Sequence, residues 1–246
     1  MVRIVAAIFL PALISGCVSQ RSLEVAAHQE FTRMRQEGQI SKDPRVQRYV
    51  RCVVDSIVDD MDEPWRSMHW DVEVFVSPGV NAFAMPGGKI GVFTGLLGVA
   101  ENQDQLATVI GHEIAHVTEE HAADTANRSI ATEVAAVAAD AAWGAGSGTL
   151  VRAGADVGIL RPFSRSQESE ADLEGLTYMA RAGFDPLASI QLWKNMEAGG
   201  GAQPPEFLST HPSPDNRSAE LIASMSEALV LYNDAKAAGK RPRCGP

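Results

Sequence analysis

Apolar positions fall at helical intervals early in the chain, alternate near its middle, and then return to helical intervals. A segment from about Leu23 to Gln36, closed by Gly38, reads as a first helix. Asp43-Pro44 offers an N-cap and a first-turn proline for a second helix running to about Asp59. Its Val46, Val50, Val53, Val54, Ile57 and Val58 share one helical face, which predicts a core-facing stripe. Beyond Trp70 the period becomes that of a strand. Val72, Val74 and Val76 alternate with Asp71, Glu73 and Phe75, predicting a strand with one buried face. Two further short strands, Asn81 to Met85 and Ile90 to Thr94, flank a tight turn at Pro86-Gly87-Gly88.

From about Gln103 the pattern is helical. One helix carries Leu106 to about Glu120, an Ala-rich one runs from Ile130 to Ala142, and Gly144 to Gly148 is a flexible point that could serve a lid extending to Gly158. Another helix spans about Ser164 to Arg181 and stops at Gly183; Asp185-Pro186 opens the next, and a last one begins near Pro214. The sum is an α+β fold, mostly helical with a small sheet. A hydrophobic content of 45% against 21% charged residues is enough to bury a real core in one domain.

The net charge of -10, with no Lys/Arg cluster, argues against a nucleic-acid partner. The start of the chain changes the picture more. Arg3, the apolar run Ile4 to Ile14 and Ile14-Ser15-Gly16-Cys17 read as a lipoprotein signal peptide over residues 1–16, with Cys17 the lipidated first residue of a mature domain over 17–246. Val18 after that cysteine favours the periplasmic face of the outer membrane, reached through the lipid anchor. Cys52 and Cys244 remain, either as two thiols or, in an oxidising compartment, as a disulfide.

The chemistry concentrates in His112-Glu113-Ile114-Ala115-His116. Residues four apart share a helix face, so His112 and His116 can present two imidazoles to one ion, with Glu113 beside it. Leu106, Val109, Ile110, Ile114 and Val117 make this helix apolar on most sides, and polar groups kept there need a reason. A third ligand is required. His121 lies about 140° round a continuous helix from His116, and Glu120 would line up with the two histidines rather than converge. The run Ser166 to Glu174 offers two acidic faces. Glu170, Glu174, Thr177 and Arg181 form a polar stripe suited to solvent, whereas Glu168 and Asp172 share a face with Gly175 and Met179. Glu168 is therefore the expected ligand, and Asp172 the expected acceptor for a ligand histidine's second ring proton.

His112 to His116, followed by Ser164-Arg165-Ser166-Gln167-Glu168-Ser169-Glu170-Ala171-Asp172, resembles the gluzincin metallopeptidases of the HtpX and CAAX prenyl protease kind, nearest the LoiP- and BepA-type lipoprotein proteases. Asn81 to Gly88, Gly95-Leu96-Leu97 and Thr210-His211-Pro212 match family segments in the same order, so the resemblance covers roughly Trp70 to Arg217. The chain departs from some of these proteins in having no transmembrane helices and no helical repeat segment. The resemblance implies a zincin-like fold and one Zn2+ per chain held by His112, His116 and Glu168. It also implies Glu113 as general base. By the same likeness His211 belongs beside the metal, stabilising an oxyanion or filling the fourth position, and Arg217 supports that loop. Asn81, Ala82, Phe83 and Ala84 would be an edge strand on which an extended substrate pairs through its main chain. The expected function is a zinc endopeptidase of the bacterial envelope acting on unfolded or misassembled proteins. The alternative is a zinc-holding, chaperone-like assembly factor for outer-membrane proteins, linked to the envelope assembly machinery.

Overall fold

The computed structural model describes residues 18–131, 163–199, 205–212 and 216–245. Cys17 and the leader, most of the Ala-rich stretch, the segment Gly144 to Gly158 and Pro214 lie outside them. Helix α1 (Gln20–Glu37) leads to α2 (Pro44–Val58), whose N-cap Asp43 accepts from the Arg45 N–H. The expected stripe on α2 is buried from Val50 to Val58, and Val46 sits at its margin. Strands β1 (Asp71–Phe75), β2 (Ala82–Met85) and β3 (Lys89–Phe93) form a sheet in the order β1-β3-β2. β3 runs parallel to β1 and antiparallel to β2. The hairpin turn needs positive φ at Gly87 and Gly88, 75° and 70°, where a side chain would be strained.

The sheet is covered on both faces, which corrects the expected alternation in β1. Val72 and Val74 point into the main core with α2 and α3, but Phe75 is also buried and Val76 is half exposed. The reason is α1. Its Ala27, Phe31 and Met34 lie over the other face, packed against Phe75, Phe83, Met85 and Phe93. β1 ends at Phe75, so Val76 no longer shares its register.

The remaining elements are α3 (Gln103–Thr118), a helical run over 121–131 (α4), α5 (Arg165–Arg181), α6 (Ala188–Gly199), the single turn α7 (Glu206–Thr210) and α8 (Arg217–Ala237). None of the described helices is long and apolar enough to cross a membrane. α3 and α5 touch backbone to backbone. A Cβ on Gly111 would stand 2.7 Å from the Gly175 carbonyl oxygen, and one on Gly175 would stand 2.6 Å from the His112 nitrogen. Neither clash can be relieved by turning a flexible side chain. Gly175→Ala should therefore cost about 1–3 kcal/mol and push α5 away from His112. Urea unfolding together with zinc titration would register both effects.

At the far end of α3 the C-terminal tail is tied down. Gln103 accepts from the Cys244 N–H and donates to the Pro242 carbonyl, and Cys244 is bonded to Cys52 on α2, with Cα atoms 5.5 Å apart. The bridge closes a loop across a sequence separation of 192, so it removes much freedom from the unfolded chain. Replacing both cysteines with serine should lower stability by about 2–4 kcal/mol. Reductant should then shift the unfolding midpoint of the native chain but leave the double variant unmoved.

Candidate metal centre

Helix α3 begins at Asn102, whose side chain accepts from the N–H groups of Asp104 and Gln105. From Gln105 to Val117 every residue is buried, so the polar side chains of its middle turns are committed to the interior. His112 and His116 lie one turn apart there, with Nε2 atoms 3.0 Å from each other. α5 brings the carboxylate. Its N-cap Ser164 and Gln167 form a capping box, and Glu168 follows in the first turn, fully buried. Glu168 lies 3.4 Å from His112 Nε2 and 3.6 Å from His116 Nε2. His211, just past α7, adds Nδ1 at 3.2 Å from Glu168 and 3.3 Å from His112 Nε2.

These four side chains form a buried group able to hold one ion. A tetrahedral site with bonds of ~2.0–2.1 Å has its donor atoms about 3.3 Å apart. Counting either oxygen of Glu168, five of the separations fall at 3.0–3.6 Å, near that figure, and with one atom from each residue all four donors lie within 4.8 Å of one another. Three imidazoles and one carboxylate suit a borderline cation such as Zn2+ better than a hard one.

Around the group, charge is balanced by one guanidinium. Asp172 Oδ1 is 3.0 Å from His112 Nδ1, the second-proton contact expected for it. Arg217 donates from Nε to Asp172 at 2.5 Å and from Nη2 to Glu168 at 3.1 Å, and its guanidinium lies 4.0 Å over the Trp193 ring. Arg217 thus grips the two carboxylates themselves, a closer role than support of the His211 loop. Burial opposes the His112 cation, but Asp172 and Glu168 outweigh it and push His112 up to about 10. Burial likewise opposes the Glu168 anion, yet hydrogen bonds from His112 and His211 bring it down to about 2. Among the described residues no carboxylate is pressed against the outer nitrogen of His116, which meets His121 instead. Burial and, after it, the positive charge on His112 hold His116 well below its usual range.

Glu113 faces the sheet. Its Oε2 accepts the Ala84 N–H at 2.7 Å, and Oε1 is 3.3 Å from His211 Nε2. Burial raises its pKa, against the pull of His211 and His112. β2 pairs with β3 along one edge only, so the Ala84 N–H belongs to the unpaired edge. A largely apolar cleft opens there, lined by Met34, Ala82, Phe83, Ala84, Phe93, Phe163 and His211 as well as Glu113. Asn81 precedes the strand, lines the same cleft and donates from Nδ2 to Glu206.

Two further residues stand at the centre: His121, set aside above as a ligand, and Phe163, which carries no motif. His121 Nδ1 stands 2.8 Å from His116 Nδ1, and Phe163 stacks on the His116 ring at 4.0 Å and 15°. The helical-wheel angle that put His121 out of reach assumed an unbroken helix. α3 instead ends at Thr118, and Glu120 takes φ 52°, so the helix is broken before His121. Glu120 itself is exposed and outside the metal-binding group.

The model of Peptidase family M48 matches residues 44–224, which takes in every residue of the group. The Mitochondrial metalloendopeptidase OMA1 of Schizosaccharomyces pombe is 38% identical over 167 residues, covering 66% of this chain and 49% of that protein. The corresponding OMA1 of Bos taurus is 35% identical over 197 residues, covering 74% and 38%. The Beta-barrel assembly-enhancing protease of Yersinia pestis is 31% identical over 198 residues, covering 75% and 40%. The chain spans less than half the length of each of these relatives. With a family model covering most of its length and a buried His-His-Glu-His group at the expected positions, the chain belongs to peptidase family M48.

Proposed function

We propose that the chain is a zinc-dependent endopeptidase in which His112, His116 and Glu168 hold the ion and Glu113 is the general base. The observation that carries this reading is the convergence of those ligand atoms within 4.8 Å of one another beside a carboxylate that also touches the edge strand. When bound, the ion supplies Lewis acidity that polarises the scissile carbonyl and acidifies the attacking water. Glu113 takes a proton from that water at a carboxylate oxygen and returns it to the leaving amine. Asp172 holds His112 through Nδ1, keeping Nε2 turned inward, and Arg217 keeps Asp172 and Glu168 in place. The β2 edge aligns an extended chain, and the apolar cleft shields the reaction from bulk water.

His211 stands close enough to be a fourth ligand, which describes a resting form. Catalysis then requires it to swing away from Glu168, where its ring N–H can donate to the developing oxyanion. That geometry also favours the second reading, a zinc-holding assembly factor with a blocked site. The name of the Yersinia pestis relative, with its reference to β-barrel assembly, points the same way. The natural substrates in this proposal are unfolded or misassembled envelope proteins, met at the periplasmic face of the outer membrane by a chain anchored through Cys17. Zinc-loaded protein should cleave unfolded casein; faster cleavage by His211→Ala would support the blocked resting form, and slower cleavage the oxyanion role. Intact casein with both proteins would reject the endopeptidase and leave the assembly factor.

A further inference from the structure

The two histidines of the metal helix are backed differently. His112 rests on Asp172, a buried carboxylate gripped by Arg217. Behind His116 stands another imidazole: His121 Nδ1 lies 2.8 Å from His116 Nδ1, and His121 Nε2 lies 3.2 Å from Glu170 Oε2. We infer that His121, oriented by Glu170, is a positioning residue that fixes the tautomer and ring angle of His116 for metal binding. The inference rests on the metal-site reading above.

The hydrogen-bond arithmetic supports this direction. A neutral imidazole carries one proton, and a nitrogen that ligates a metal must be free of it. His116 Nε2 faces His112 and Glu168, so its proton belongs on Nδ1, which must find an acceptor. His121 Nδ1 can accept only if the His121 proton sits on Nε2. Glu170 takes that proton's hydrogen bond and so selects the tautomer. A chain of two donated bonds results, from His116 Nδ1–H to His121 and from His121 Nε2–H to Glu170.

The fold spends several contacts on this chain. The left-handed Glu120 turns His121 back toward α3, and Gln167 donates to the His121 carbonyl at 3.2 Å, linking it to the start of α5 that delivers Glu168. His121 is buried, whereas the Glu170 side chain is 55% exposed, so the relay runs from the metal helix to the surface. Phe163 holds the plane of the His116 ring by stacking, which leaves its in-plane direction to His121. The acidic stripe read from sequence as a solvated face therefore contains one residue with a second task.

Zinc affinity, measured by chelator competition, tests this on the full chain. His121→Phe keeps a ring but loses the acceptor, and should weaken binding roughly 10- to 100-fold. His121→Asn places a carbonyl oxygen near the lost Nδ1 and should stay within about threefold of the native value. Glu170→Ala, a surface change that leaves the fold intact, should weaken binding about three- to tenfold. Cobalt(II) absorption should shift in His121→Phe and match the native spectrum in His121→Asn. Unchanged affinity in His121→Phe would overturn the inference, as would unchanged affinity in Glu170→Ala if the Phe variant does not fold. Equal losses in the Phe and Asn variants would also overturn it, since the acceptor would then be irrelevant. Failure of the native chain itself to bind zinc would strike the metal-site reading instead.

Discussion

Glu113→Gln should lower peptide hydrolysis by about 10^2- to 10^4-fold while leaving the fold and the zinc content unchanged. The substitution is nearly isosteric. The glutamine carbonyl oxygen can still accept the Ala84 N–H that Glu113 now receives at 2.7 Å, so the tie between α3 and the edge strand survives. Glu113 is not among the four side chains grouped for the metal, so its charge is not needed to hold the ion. What disappears is a proton acceptor beside the attacking water. Stability should hold or rise slightly, because a fully buried carboxylate, whose pKa burial already raises, is replaced by a neutral amide. Turnover of unfolded casein, metal content and the unfolding midpoint, taken together, decide the matter. A variant that keeps more than about a tenth of native turnover would remove Glu113 from the general-base role.

Much of this centre is legible in residue spacing because helices impose it. His112 and His116 meet because four residues are one turn, and Glu168 separates from Glu170 because only its face carries Gly175 and Met179. Gly175 proves more telling than its size suggests, since it lets α5 lie against the backbone of His112. Position on a helix does not say where the chain turns next, and that is why His121, which stays outside the metal-binding group as expected, was not placed behind His116. A non-glycine residue in the left-handed region carries no strong signal, so nothing in Glu119-Glu120 announced the break in the helix. The same holds for Phe75 and Val76. Alternation reports one covered face, but α1 covers the other, and its contact with the sheet is a long-range fact. Arg217 is legible only as a neighbour of the His211 loop, because a single arginine after a loop does not show which of several acids it reaches.

Arg217→Met should destabilise the metal-free protein by about 3–5 kcal/mol, as expected when one partner of a buried ionic group is removed. The guanidinium is 4% exposed and bridges Glu168 and Asp172, which are themselves buried. Methionine fills similar space against Trp193, so packing changes little and the loss reports mainly on charge. Among the described residues, the two carboxylates would then share the interior with His112 as the charge that offsets them. Zinc changes this balance. Its positive charge beside Glu168 takes over part of what the guanidinium supplies, so the zinc-loaded variant should lose less stability than the metal-free one. Arg217→Lys should recover only part of the deficit, because a single ammonium cannot reproduce the forked contact to both carboxylates. Urea unfolding of the native chain and both variants, each with zinc and with chelator, measures these differences. Equal losses in the two metal states would mean that Arg217 acts through shape alone, and an undiminished metal-free protein would mean that Glu168 and Asp172 do not need its charge.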